Sequence, residues 1–234
     1  MIKASFGLSE TGSVRNENQD SFLLDVENGI VAVADGLGGL PNGERASSLT
    51  LEILRRKILE SPNHPLGELI TEVNQEVRKI GYDLDASGFG TTLTMARFRP
   101  DRNMLQIAHV GDSAALVVSG GKVNMLTMEH TVAARMVAEQ WQDASEAIPL
   151  TAHHTLTQCI GQDLYIDPQV LEVDVHPRDR FFLVTDGVTK AIAGGTLNQS
   201  LMAKTSIGQL CQGLTFQIEA AGSPDNYTIV GIEF

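Results

Sequence analysis

The stretch GIVAVADGLGG, Gly29 to Gly39, runs a continuous apolar segment of strand length into Asp35 and then a glycine-rich turn. A run of this kind reads as a buried strand, and a single Asp-Gly pair after it is most simply a turn former; it is the pair of such strands that calls for another reading. The arrangement recurs in RFFLVTDGV, Arg180 to Val188, where Asp186 follows a second apolar strand. QIAHVGDSAALVV places Asp112 in a tight turn between two strands, SPDNYTIVGIEF places Asp225 just ahead of the last strand, and NENQDSFLLDV starts a strand at Asp20. These aspartates all sit at strand ends, and a sandwich gathers strand ends at one rim where loops converge.

Working outward, IKASFGLSE and SFLLDV read as strands, and ERASSLTLEILRRKILES and PLGELITEVNQEVRKIGYDL as amphipathic helices, the first starting near Pro41 and Asn42 and stopped by Ser61 and Pro62. GTTLTMARF, NMLQIAHVGD and SAALVVSGGKVNMLT form a strand series with a hairpin at Gly120 and Gly121. Residues 130 to about 155 read as helical and then irregular. QVLEVDV and RFFLVTDG are strands, Ile207 to Ala220 is helical, and NYTIVGIEF is the final strand. Strands, then helices, then strands predict an α+β fold with antiparallel sheets covered by helix pairs. With no repeat or linker in the sequence, residues 1–234 read as a single domain.

The 234 residues are 42% apolar and 20% charged, enough for a substantial core. The formal net charge of -12 argues against nucleic acid and anionic membranes as partners, so a phosphorylated substrate needs local positive charge. The N-terminus lacks a signal-type apolar core and no run approaches the ~20 residues that span a bilayer, which gives a cytoplasmic expectation. Cys159 and Cys211 have neither metal-type nor disulfide-framework spacing and read as core thiols. Without a heptad seam, the chain is expected to be a monomer.

Crowded carboxylates raise one another's pKa unless a cation holds them. Hard oxygen donors without cysteine favour Mg2+ or Mn2+ over zinc, and Gly36 after Asp35 lets a backbone carbonyl approach a metal. Two such cations about 3.5–4 Å apart suit hydrolysis of a phosphate ester. Arg15 supplies a planar fork matched to two phosphate oxygens.

GSVRNENQDSF, VAVADGLGG, GTTLT, HVGDSAAL, LTMEHT, LTQCIG, LVTDGV and DNYTIVGIEF follow one another in the order found in metal-dependent protein phosphatases of the PPM, or type 2C, family, and the chain resembles the compact bacterial form over nearly its whole length. The resemblance implies a β-sandwich of two antiparallel sheets flanked by pairs of α-helices, with a dimetal site at one end. It implies hydrolysis of phosphoserine and phosphothreonine by direct attack of a metal-bridged hydroxide on phosphorus, phosphorylated proteins as substrates, and a cognate Ser/Thr kinase as the opposing activity. By the same resemblance Asp35 is the bridging metal ligand, Gly36 the carbonyl ligand, and Asp186 and Asp225 further ligands. Asp112 matches the ligand of a third, weaker ion shared with Asp186. Asp20 orients the attacking water and Arg15 binds phosphate. Residues 130–155 match the flap beside the active site.

The chain departs from the family at several positions. Gln19 stands where many members have Glu, Leu37 where many eukaryotic members have His, Ala114 where Arg is usual and Glu129 where Asp is usual. Leu37 removes a general acid and leaves the leaving group to water. Gln19, Leu37 and Ala114 are what a pseudophosphatase acting as a binding module would display; the retention of Arg15, Asp35, Asp186 and Asp225 favours the enzyme. GDSAA lies between strands and ends in Ala115, which rejects Ser113 as a nucleophile elbow. Asp83 and Asp85 read as a solvated helix end, His153 and His154 as surface residues or neighbours of the ligands, His130 as a neighbour of the ligands, and Trp141 as core or flap packing.

Overall fold

The computed structural model describes residues 1–38, 42–86, 88–139 and 148–234. Pro41 and Trp141 lie outside the described residues, as do 140–147 of the expected flap. The centre of the fold is β3 (Ile30–Asp35), whose continuous apolar run is explained by what covers its two faces. Ile30, Ala32 and Ala34 join the apolar cluster under two helices, while Val31 and Val33 point the other way, into the cluster between two sheets. Successive side chains of a strand alternate between faces, so a strand buried on both sides loses its polar alternation.

One sheet has the order β2 (Asp20–Asp25), β3, β4 (Leu93–Arg99), β5 (Met104–Val110), β8 (Gln169–Asp174). The other has the order β1 (Ala4–Glu10), β10 (Tyr227–Glu233), β9 (Arg180–Val184), β6 (Ala114–Ser119), β7 (Lys122–Met125). Every pairing between these strands is antiparallel. Phe181, Leu183, Val230 and Ile232 of one sheet meet Val31, Val33, Leu105 and Ile107 of the other. The outer face of the β3 sheet is covered by α1 (Gly43–Glu60) and α2 (Leu66–Asp83), through Leu54, Leu69, Ile70 and Val73. The β10 sheet is covered by α5 (Asp186–Ala191), α6 (Gly194–Leu201) and α7 (Ile207–Ala220), through Val188, Leu197, Leu210 and Leu214. The expected α+β sandwich is present, in four layers, helix-sheet-sheet-helix.

The expected strands lie within a few residues of those observed, β6 and β7 turn at Gly120 and Gly121, and α7 has the expected bounds, closed at its start by a capping box between Ser206 and Gln209. In the flap segment α3 (Val132–Ala138) and α4 (Leu150–His153) are described. The reading of residues 180–206 was incomplete. The strand ends at Val184, Asp186 is the first residue of a helix, and α5 and α6 have no counterpart among the sequence expectations. Both helices are short, and Gly194 and Gly195 at the start of α6 weaken its helical signal.

Candidate metal centre

The antiparallel register sets Asp20, at the start of β2, opposite Asp35, at the end of β3. The Asp35 backbone is fixed from the two residues that precede β4: its N–H donates to Thr92 Oγ1 (3.0 Å), and its carbonyl accepts from Thr92 N–H (2.8 Å) and Thr91 Oγ1 (2.8 Å). Gly36 follows in the tightest part of the site. Its N–H donates to the Gln19 carbonyl (3.0 Å), and a Cβ there would stand 2.5 Å from the Gly43 carbonyl carbon and oxygen. Only glycine lets the end of β3, the approach to β2 and the start of α1 come this close.

Asp112 arrives from the β5–β6 turn and Asp186 from the start of α5, both 8% exposed. One carboxylate oxygen from each of Asp35, Asp112 and Asp186 lies within 4.8 Å of the other two. Gly187 lets this corner close against the last strand, since a Cβ there would overlap the Asn226 carbonyl oxygen. Asp20 sits behind the cluster, 6% exposed. The hydroxyls of Thr185 and Thr228 donate to its Oδ2, each at 2.8 Å. Its Oδ1 is buried without a hydrogen-bond partner, and so is Oδ1 of Asp186.

Arg15, from the loop before β2, closes its fork on Asp225: Nε to Oδ1 is 2.7 Å and Nη2 to Oδ2 is 3.0 Å. Asn226 ties the two ends of the chain together, donating through Nδ2 to the carbonyls of Thr11 (2.7 Å) and Glu17 (2.9 Å) and accepting from Gln19 N–H (3.0 Å). Lys190, one helical turn after Asp186, places Nζ on Asp186 Oδ2. Arg15, Asp35, Gly36, Asp112, Asp186 and Asp225 line one cleft of about 560 Å³, with Leu37, His154 and Lys190. A groove of about 550 Å³ beside Arg78, Lys79 and Tyr82 of α2 is as large, so volume does not select the site; the converging carboxylates do.

The electrostatics follow from burial and mutual repulsion. Burial pushes the Asp20 carboxyl up to about 7, against the two threonine hydroxyls that favour its ionised form. Burial and the neighbouring Asp186 push Asp112 up to about 7. Asp35 is raised well above the usual carboxylate range by burial and by the fields of Asp20, Asp186, Asp112 and Asp225. Carboxylates raised in this way call for positive charge among them. The donor set fits divalent Mg2+ or Mn2+: it is oxygen only, and one of its oxygens, Asp186 Oδ1, is buried and unsatisfied, as is Oδ1 of the adjacent Asp20.

The residues singled out in the sequence therefore meet at one rim. Asp225 reaches it as Arg15's partner, outside the set of three converging carboxylates. Thr92, Thr185, Thr228, Asn226 and Lys190 also build the site and were not anticipated, because hydroxyl and amide positions carry no pattern until strand pairing is known. His154, read as a surface residue or a neighbour of the ligands, is exposed and lines the cleft. Ala114 is packed in the core under α5–α7, away from the cleft. Ser113 is buried with its hydroxyl 3.1 Å from that of Thr92, Cys159 and Cys211 are free and buried, and Asp83 pairs with Lys79 at an exposed helix end. His130 does neighbour the ligand turn: its N–H donates to the Gly111 carbonyl (2.7 Å) and its Nδ1 lies 3.2 Å from Gly111 N.

Comparison with known proteins agrees with this geometry. The Ser/Thr protein phosphatase PstP of Mycobacterium tuberculosis is 28% identical over 237 residues, covering 95% of this chain; the chain spans 43% of that relative's length. The catalytic domain of PstP, solved in complex with two manganese ions, superposes with a TM-score of 0.82 at 25% identity, over 98% of this chain and 97% of that one. The PPM Ser-Thr phosphatase MsPP of Mycobacterium smegmatis, solved with cacodylate, gives 0.85 at 28% identity over 100% and 99%. The family model described as protein phosphatase 2C matches residues 13–216, from the loop that carries Arg15 to the middle of α7. With the match spanning most of the fold, and the fold setting the aspartates at one rim, the chain belongs to the protein phosphatase 2C family.

Proposed function

We propose that this chain is a Mn2+- or Mg2+-dependent protein phosphatase that hydrolyses phosphoserine and phosphothreonine. The observation that carries the reading is the convergence of Asp35, Asp112 and Asp186 within 4.8 Å, in a cleft that also holds Arg15. Asp35, the Gly36 carbonyl, Asp186 and Asp225 would hold the core pair of ions. Divalent ions held there lower the pKa of water and polarise phosphoryl oxygens.

The chain's own groups do the rest. Arg15 binds the phosphate, and the fork that it closes on the Asp225 carboxylate is the geometry two phosphoryl oxygens require. Asp20 orients the attacking water. Thr185 and Thr228 occupy its Oδ2 and leave Oδ1 free to accept a hydrogen bond from that water. Ser113 is buried with its hydroxyl held by that of Thr92 and is not among the residues that line the cleft, so the attacking oxygen comes from water and no phospho-enzyme forms. Leu37 offers no proton, so water protonates the departing serine or threonine oxygen.

The reading extends to residues 1–234 as one catalytic unit, with residues 130–155 as a flap; His154 and Leu156 lining the cleft support it. It further takes the protein as a cytoplasmic monomer, with phosphoproteins as partners and a Ser/Thr kinase as the opposing enzyme. The net charge of -12 supports the exclusion of nucleic acid and anionic lipid, and no helix among the described residues is long and apolar enough to cross a membrane.

Phosphate release from a phosphothreonine peptide, with Mn2+ and with chelator, tests the reading. Arg15→Ala should raise KM roughly 10- to 100-fold, the worth of a charged hydrogen-bond pair, and Arg15→Lys should restore little of it. A native KM in Arg15→Ala removes the phosphate role. No turnover by folded protein with either metal would instead favour a pseudophosphatase that binds a partner without hydrolysis.

A further inference from the structure

Two cations face the acidic cleft among the described residues that line it, Arg15 and Lys190. Arg15 pairs with Asp225 and is the group assigned above to the substrate phosphate. Lys190 is set by helix geometry: residues four apart share a face, and in α5 this puts the ammonium on the Asp186 carboxylate. The two oxygens of Asp186 are thereby distinguished. Oδ1 is buried with no partner, as a metal-facing oxygen would be, and Oδ2 is covered by Lys190 Nζ. Asp112, Asp186 and Lys190 line the same cleft, and an oxygen of Asp112 lies within 4.8 Å of one of Asp186.

We propose that Lys190 is a built-in cation that takes the place of a metal ion between Asp112 and Asp186 and so confines this protein to two divalent ions. The inference rests on the phosphatase reading and deepens it, replacing the expected third ion by a side chain. Two divalent ions with Arg15 and Lys190 already exceed the charge of Asp20, Asp35, Asp112, Asp186 and Asp225. An ion on the outer side of Asp186 would need the oxygen that Lys190 covers, and would have to sit against a fixed positive charge. Lys190 is about a third exposed, so its head group can be replaced without opening the core.

Isothermal titration calorimetry of Mn2+ into the full chain tests this without reference to turnover. The native protein should take up two ions. Lys190→Asn and Lys190→Gln, each shown to be folded by circular dichroism, should take up a third, weaker ion, which disappears again when Asp112→Asn is added. Three ions in the native protein would overturn the proposal, as would two ions in both variants. These outcomes leave the phosphatase reading standing. No Mn2+ uptake by the folded native chain would overturn both, and is told apart from the others by the missing first two ions.

Discussion

Replacing Gly36 by alanine inserts one methyl group where three backbone segments meet. The added Cβ would lie 2.5 Å from both the carbon and the oxygen of the Gly43 carbonyl, and 2.8 Å from the Gln19 carbonyl oxygen. Close C···O contacts in proteins settle near 3.3–3.6 Å, so the end of β3 and the start of α1 must part by about 1 Å. No flexible side chain can absorb this, because the obstructing atoms are backbone. Overpacking of this kind costs about 1–3 kcal/mol, which for a chain of this length lowers Tm by roughly 2 to 12 °C. The same displacement is delivered to Asp35, the adjacent residue, and an error of about 1 Å in a reacting geometry can cost roughly 100-fold in rate. The assay pairs thermal melting in chelator with Mn2+-dependent peptide hydrolysis. Gly213→Ala serves as the control, since a Cβ at this position of α7 meets nothing within 4 Å: helix propensity should raise Tm by roughly 2 to 4 °C and turnover should stay native. A Gly36→Ala protein that melts and turns over as the native one does would refute the close-packing argument.

Titration gives two further outcomes of opposite sign. Asp20 has a folded pKa of about 7, above its unfolded value, so its contribution to stability is present at low pH and lost as pH rises through 7. Asp20→Asn should therefore raise the Tm of the metal-free protein at pH 8, leave it near native at pH 4, and weaken Mn2+-dependent turnover; an unchanged or lower Tm at pH 8 contradicts this. Buried His109 accepts from Thr94 Oγ1 (2.8 Å) at Nδ1 and donates from Nε2 to the Met128 carbonyl (3.1 Å), and burial followed by repulsion from His130 lowers its pKa to about 3. Its contribution is complete above pH 6.5 and is lost as pH falls toward 3. Denaturant titrations of His109→Gln should show a shallower fall in stability across that window, and a slope equal to the native one would contradict a neutral buried imidazole.

Much of the fold was legible because each signal was local. The unbroken run of Ile30 to Ala34 reported a strand covered on both faces, and the paired recurrence of apolar strand and aspartate located the ends of β3 and β9. The register that sets Asp20 opposite Asp35 is a property of pairing, so the short distance from Asp20 to the cluster could be inferred only from a shared rim. Lys190 was invisible for a different reason. Its relation to Asp186 exists only if residues 186–191 are helical, and a six-residue helix leaves too little periodicity to read. The Arg15–Asp225 pair and the Asn226 ties join positions some 210 residues apart, where no local pattern operates. Asp186, expected at a strand end, starts α5 instead, a position where the helix dipole favours a carboxylate.

The most direct test of the account is phosphate release from an aryl phosphate by the native chain and by Asp186→Asn, each with Mn2+, with Mg2+ and with chelator. The account predicts turnover that requires a divalent ion and is lost in the variant while its fold is retained. Turnover that survives chelation, or an Asp186→Asn protein as active as the native one, would contradict the carboxylate cluster as the seat of the chemistry.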